Sequence, residues 1–103
     1  MTDTSQITDH PEDSKLEYTA DGHRAELRYR LRGNRLVIVH TAVPPELEGH
    51  GIGGTLVAAA LARAAQQDLT VVPLCPFARQ WLQRHPDAAA AVTIDWGADG
   101  PQG

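Results

Sequence analysis

From Lys15 to Arg32 apolar and polar residues alternate with a period of two, the signature of strands with one face buried and one face wet. Leu16, Tyr18 and Ala20 alternate with polar neighbours up to Asp21-Gly22, a strong turn signal. Ala25, Leu27, Tyr29 and Leu31 then alternate with Arg24, Glu26, Arg28, Arg30 and Arg32, and Gly33-Asn34 closes a second hairpin. The run from Leu36 to Val43 is apolar at nearly every position, which predicts a strand inside the sheet with both faces covered. Pro44-Pro45 ends that strand. A glycine-dense loop then opens a helix reaching about Gln67, with Ile52, Leu56, Val57, Ala60, Leu61 and Ala64 as its buried stripe. Leu69 to Leu74 is long enough for a strand and too short for a stable helix. Strand, helix and strand in succession make a βαβ unit with parallel strands and a right-handed crossover. Pro76 suits the first position of another helix, which carries Phe77 and Trp81 on one face as core residues and stops at His85-Pro86. Beyond Asp87, Ala88 to Ala91 favour a helical turn, Val92-Thr93-Ile94 could pair as an edge strand, and the chain frays from Gly97. The fold class is α/β in the wider, α+β sense: a mixed sheet with antiparallel N-terminal strands and one βαβ unit.

Composition sharpens the domain limits. The chain has 103 residues, room for one domain. Its formal charge of −4 arises in residues 1–14, which hold Asp3, Asp9, Glu12 and Asp13 and no Lys or Arg, so nine acids and nine bases remain elsewhere. Residues 1–14 read as a disordered acidic tail, 15–96 as the folded domain and 97–103 as a second disordered tail. A nearly neutral domain lacks the basic footprint that nucleic acid requires, so no nucleic-acid partner is expected. The single cysteine excludes an internal disulfide and a cysteine-rich metal site, and no histidine pair has metal-ligand spacing on a helix; no metal is expected. With no apolar run of membrane-spanning length and no signal-peptide core, neither membrane association nor export is expected, and the cytoplasm is the expected location.

The chemistry concentrates between Val43 and Gly54. Gly49, Gly51, Gly53 and Gly54 stand at the start of a helix, where unpaired N–H groups carry partial positive charge and missing Cβ atoms let a diphosphate approach the main chain. Gly49-x-Gly51-x-x-Gly54 formally matches a dinucleotide fingerprint, with Asp68 about twenty residues on, but Pro44 to Glu48 separate it from the strand and Asp68 precedes the second strand. Thr55 occupies the place of the Walker A lysine. A flexible loop without a ligand ranks behind a ligand site, because glycines weaken a helix start. Cys75 stands before Pro76 as a helix N-cap, where the dipole favours thiolate; the plainer reading is packing as a small hydrophobe.

These residues carry a resemblance. Val43-Pro44-Pro45-Glu46-Leu47-Glu48-Gly49-His50-Gly51-Ile52-Gly53 resembles motif A of the GNAT superfamily of acetyl-CoA-dependent N-acetyltransferases, in which a strand ends at Val-x-Pro and a Q/R-x-x-G-x-G/A loop opens the next helix. Val72-Pro73-Leu74-Cys75-Pro76-Phe77, with Trp81 and Arg84-His85-Pro86, is similar to a minimal GNAT-like subfamily, and the resemblance covers about residues 16–87. It implies splayed strands that hold acetyl-CoA. Thr41, Ala42 and Val43 would pair with the pantetheine amides. The backbone from Gly49 through His50, Gly51, Ile52 and Gly53 to Gly54 would hold the pyrophosphate, and Cys75 and Phe77 would lie at the cofactor's acyl end. Glu48 departs from the Gln/Arg position, so its side chain should point outward and cofactor affinity should suffer. The acceptor amine would react either after acyl transfer to Cys75 or directly, with His40 as candidate base approaching from the neighbouring strand. The alternative to an acetyltransferase is a CoA or acyl-CoA binding module without turnover. His50 could touch a phosphate, His85 could cap its helix, and Arg24, Arg28, Arg30 and Arg32 read as a solvated strand face.

Overall fold

A computed structural model describes residues 7–97. Five strands follow one another in the sheet in sequence order: β1 (Ile7–His10), β2 (Lys15–Ala20), β3 (His23–Arg32), β4 (Arg35–Ala42) and β5 (Thr70–Pro73). The first four pair antiparallel and β4 pairs β5 in parallel, with helix α1 (Ile52–Gln66) making the crossover. Helices α2 (Pro76–Arg84) and α3 (Pro86–Ala89) follow β5, and Ile94 makes a single parallel bridge to Val71, extending the sheet past β5.

Local chemistry accounts for the elements. Asp21 and Gly22 both have left-handed backbone (φ 53 and 77), the requirement of a two-residue turn whose twist suits the strands it joins. Leu16, Leu27, Tyr29, Leu36, Ile38 and Val71 point to one face and are buried there against Leu56, Val57, Ala60 and Ala64 of α1 and Ala78 and Leu82 of α2. Both helices lie on this face. Among the described residues the opposite face stays open, so β4 is interior but covered on one side only, contrary to the prediction from its largely apolar run.

A second correction concerns the N-terminus. Ile7–His10, assigned from sequence to a disordered tail over residues 1–14, forms a strand against β2, with Ile7 opposite Tyr18 and Asp9 opposite Leu16. Its anchor is tertiary. The Tyr29 hydroxyl donates to Asp9 Oδ1 (2.6 Å), Arg63 Nη1 donates to Asp9 Oδ2 (2.7 Å) and to the Tyr29 oxygen, and the guanidinium lies 4.8 Å from the Tyr29 ring centroid. Burial, reinforced by the Asp9 charge, raises the Tyr29 pKa above that of a free phenol, so the hydroxyl stays a donor. His10 also bonds Glu17 (3.1 Å). Residues 1–6 and, except for Gly97, the predicted tail at 97–103 lie outside the described residues. Among the described residues no helix is long and apolar enough to cross a membrane.

Candidate functional site

Paired residues run from Arg35–Thr70 to Ile38–Pro73 between β4 and β5, and there the two strands part. The Ile38 carbonyl accepts both Leu74 N–H (3.0 Å) and Cys75 N–H (3.1 Å), which swings the chain out of the sheet and into α2. β4 runs on to Ala42 with β3 as its registered partner. The parting coincides with a bulge: Tyr29 pairs with Ile38 and Arg28 with His40, so Val39 is the extra residue on β4.

One inserted residue reverses which side chains face the core. Thr41 falls opposite the buried Leu27 and faces the helices, whereas His40 falls opposite the exposed Arg28 on the open face. The structure therefore does not bring His40 to Cys75. The pairing is instead Cys75 with Thr41: the thiol donates to Thr41 Oγ1 at 3.6 Å. Cys75 is the N-cap of α2, and its carbonyl accepts Arg79 N–H at 3.0 Å, the first bond of that helix. The side chain is 3 % exposed, within the core cluster.

From the end of β4 the chain makes a 3-10 turn (Pro45–Leu47), and Gly49 (φ 84) and Gly51 (φ 72) take left-handed conformations on the way into α1. At both, the space a Cβ would fill is open to 4 Å. Gly51 is the N-cap of α1, so the amides of Ile52, Gly53 and Gly54 form the first turn, where no carbonyl lies one helical turn back to receive them. Gly53 and Gly54 are glycine for a different reason. A Cβ on Gly53 would stand 2.7 Å from the tip of the Phe77 ring, and one on Gly54 only a van der Waals overlap away from Trp81 Nε1. Their bare backbone seats α2 on α1. Trp81 is fixed from its other side by His85, stacked at 4.1 Å, whose Nδ1 lies 2.7 Å from the Trp81 carbonyl.

Between these elements lies a groove of 260 Å³, walled by Val43, Leu47 and Glu48, floored by Gly49, Gly51, Ile52, Gly53 and Gly54, and closed by Phe77 and Trp81. Of the sequence-predicted residues, Val43, Phe77 and five of the loop residues meet there, and Thr41 and Cys75 meet at the parting of the strands. Ala42 is exposed at the end of β4. His50 lines a neighbouring cleft of 440 Å³ with Tyr18, Asp21 and Glu46. Phe77 is 43 % exposed and forms groove wall as well as helix contact, so its reading as core holds only for the ring edge against Gly53. Glu48 is exposed at the groove rim. Sequence reasoning did not place Leu47 and Trp81 at the groove; for Trp81 the signal was its position one helical turn after Phe77.

Comparison with known proteins agrees with this geometry. The solution structure of a protein from Staphylococcus aureus described as a GCN5-like candidate N-acetyltransferase superposes with a TM-score of 0.67 at 26% identity, over 89% of this chain and 92% of that one. The model of the GCN5-related N-acetyl-transferase family matches residues 15–92, from the start of β2 to the segment before Ile94. The parted strands, the glycine loop at a helix start and this match over most of the sequence have one reading: the chain belongs to the GCN5-related N-acetyltransferase family.

Proposed function

We propose that the protein binds acetyl-CoA in the groove beside α1 and transfers its acetyl group to an amine. The observation that carries this is the coincidence of three features at one place: the end of β4–β5 pairing at Ile38, the first turn of α1, and the Thr41–Cys75 contact. The residues fit the cofactor. Open space at Gly49 and Gly51 leaves room for a diphosphate against bare backbone, and the first-turn amides from Ile52 to Gly54 are donors for it. Main-chain groups of Thr41 to Val43, past the end of β5, are available to pantetheine amides, and Phe77 and Trp81 give its methylenes an apolar wall. When bound, acetyl-CoA supplies an activated thioester carbonyl.

This chain's own groups do the rest. The bulge at Val39 exposes main chain that can donate to a developing oxyanion. Cys75 holds its proton toward Thr41 Oγ1, and accepting an acyl group would require release of that proton. A second reading, an acyl-CoA binding module without turnover, is favoured by the burial of Cys75 and by the placement of His40 on the opposite face. Mass spectrometry after incubation with acetyl-CoA separates the possibilities. A hydroxylamine-labile acetyl adduct absent from Cys75→Ala supports transfer through the thiol; transfer to amines that persists in Cys75→Ala supports direct attack. Binding with neither leaves the binding module.

A further inference from the structure

The open face of the sheet has a charge pattern that the groove does not use. Across β2, β3 and β4 this face carries Lys15, Arg24, Arg28, Arg30, Arg32 and Arg35 against Glu17 and Glu26. The carboxylates are already engaged. Glu17 lies 3.2 Å from Lys15 and 3.6 Å from Arg24, Glu26 accepts from Arg28 at 2.7 Å, and Arg35 is paired with Asp95. Among the described residues Arg30 and Arg32 have no carboxylate partner. Arg30 stands opposite Val37, and Arg28 opposite His40, so the two arginines flank the Val39 bulge on either side.

This face is also the exposed approach to the parted strands. On the helix side the level of the bulge is closed by Thr41 and by Cys75, whereas Val39 is 37 % and Leu74 61 % exposed. Arg28 flanks the bulge on the side where the strands part, and Arg30 and Arg32 carry the basic row from the bulge toward the start of β4, within reach of an extended acceptor whose end lies at the bulge. We propose that the acceptor is an acidic peptide presenting its N-terminal amine, its carboxylates held by Arg30 and Arg32 while apolar side chains rest on Val39 and Leu74. This rests on the acetyltransferase reading above. The row from Arg28 to Arg32 spans about 14 Å of extended strand, the length of a segment of four or five residues rather than of a free amino acid. Arginine suits the task, because its planar fork binds carboxylates in two-point fashion. Single-stranded nucleic acid fits less well: both tyrosines of the sheet lie on the covered face, and on the open one His40 is a lone ring where a strand of bases needs several in succession.

The experiment titrates a pentapeptide with a free amine and alternating glutamates, and its glutamine isostere, into the protein at low salt, alone and with saturating acetyl-CoA. Expected are at least tenfold tighter binding of the glutamate peptide, a tenfold loss in Arg30→Gln, and no change in Arg84→Gln, whose residue is exposed at the end of α2. Equal affinity of the two peptides, equal losses in the two variants, or tighter binding of an oligothymidine would each overturn the proposal. Acetyl-CoA affinity is read in the same samples, so its absence sinks the acetyltransferase reading while the peptide preference is scored separately.

Discussion

The glycine loop has two halves that look alike in sequence and do opposite work. Gly49 and Gly51 have left-handed backbone and nothing near the missing Cβ, whereas Gly53 and Gly54 have ordinary helical backbone and are pressed by Phe77 and Trp81. The first pair is glycine because of main-chain conformation and faces outward; the second is glycine because of a neighbour and faces inward. A cluster of glycines at a helix start is thus no single signal. Half of it leaves bare backbone open to the groove and half serves the docking of one helix on another.

Substitutions that separate the halves should show this. Gly54→Ala is expected to do the most damage, about 2 kcal/mol of stability in urea denaturation, because the new methyl meets an indole clamped by His85 and overpacking outweighs the gain in helix propensity. Pairing it with Trp81→Leu should restore part of the loss, and strictly additive effects would show that Trp81 is not the obstacle. Gly51→Ala should cost about 1 kcal/mol through backbone strain alone and lower acetyl-CoA affinity about tenfold by calorimetry. Gly53→Ala should leave stability within about 0.5 kcal/mol, since the exposed Phe77 ring can turn away and alanine favours the helix, yet it should weaken acetyl-CoA severalfold by displacing that wall. Equal destabilisation by Gly53→Ala and Gly54→Ala would mean that the two contacts are equally rigid. The smallest effect belongs to Glu48 at the rim. Glu48→Gln should tighten acetyl-CoA about threefold at low salt and not at all at 1 M, where screening removes a surface repulsion; a loss of affinity would mean that the carboxylate makes a favourable contact.

What could be read in advance followed from local chemistry. The alternation in β2 and β3, the Asp21-Gly22 turn, the stripe of α1 and Pro76 at the start of α2 each have a cause within a few residues. The features that escaped have causes far along the chain. Ile7–His10 offers one large apolar residue, and what fixes it is a bond network to Tyr29 and Arg63. The Val39 bulge is invisible in the sequence, because Leu36 to Val39 are all apolar and such a stretch has no parity to break; yet that one residue decides that Thr41 rather than His40 meets Cys75. The open face of β4 was misjudged for the same reason, since Val37 and Val39 look like core residues, yet among the described residues no helix covers that face and they are half-covered or exposed.

The most direct test of the cofactor groove is a titration of acetyl-CoA into 15N-labelled protein, following backbone amide shifts residue by residue. Binding at the parting of β4 and β5 should move the amides of Val39 to Val43, Gly49 to Thr55, Cys75 and Phe77 to Trp81, with those of β1 and β2 unchanged. Saturable shifts confined to β1, β2 and the Arg63 end of α1, with Gly51 to Gly54 still, would contradict it.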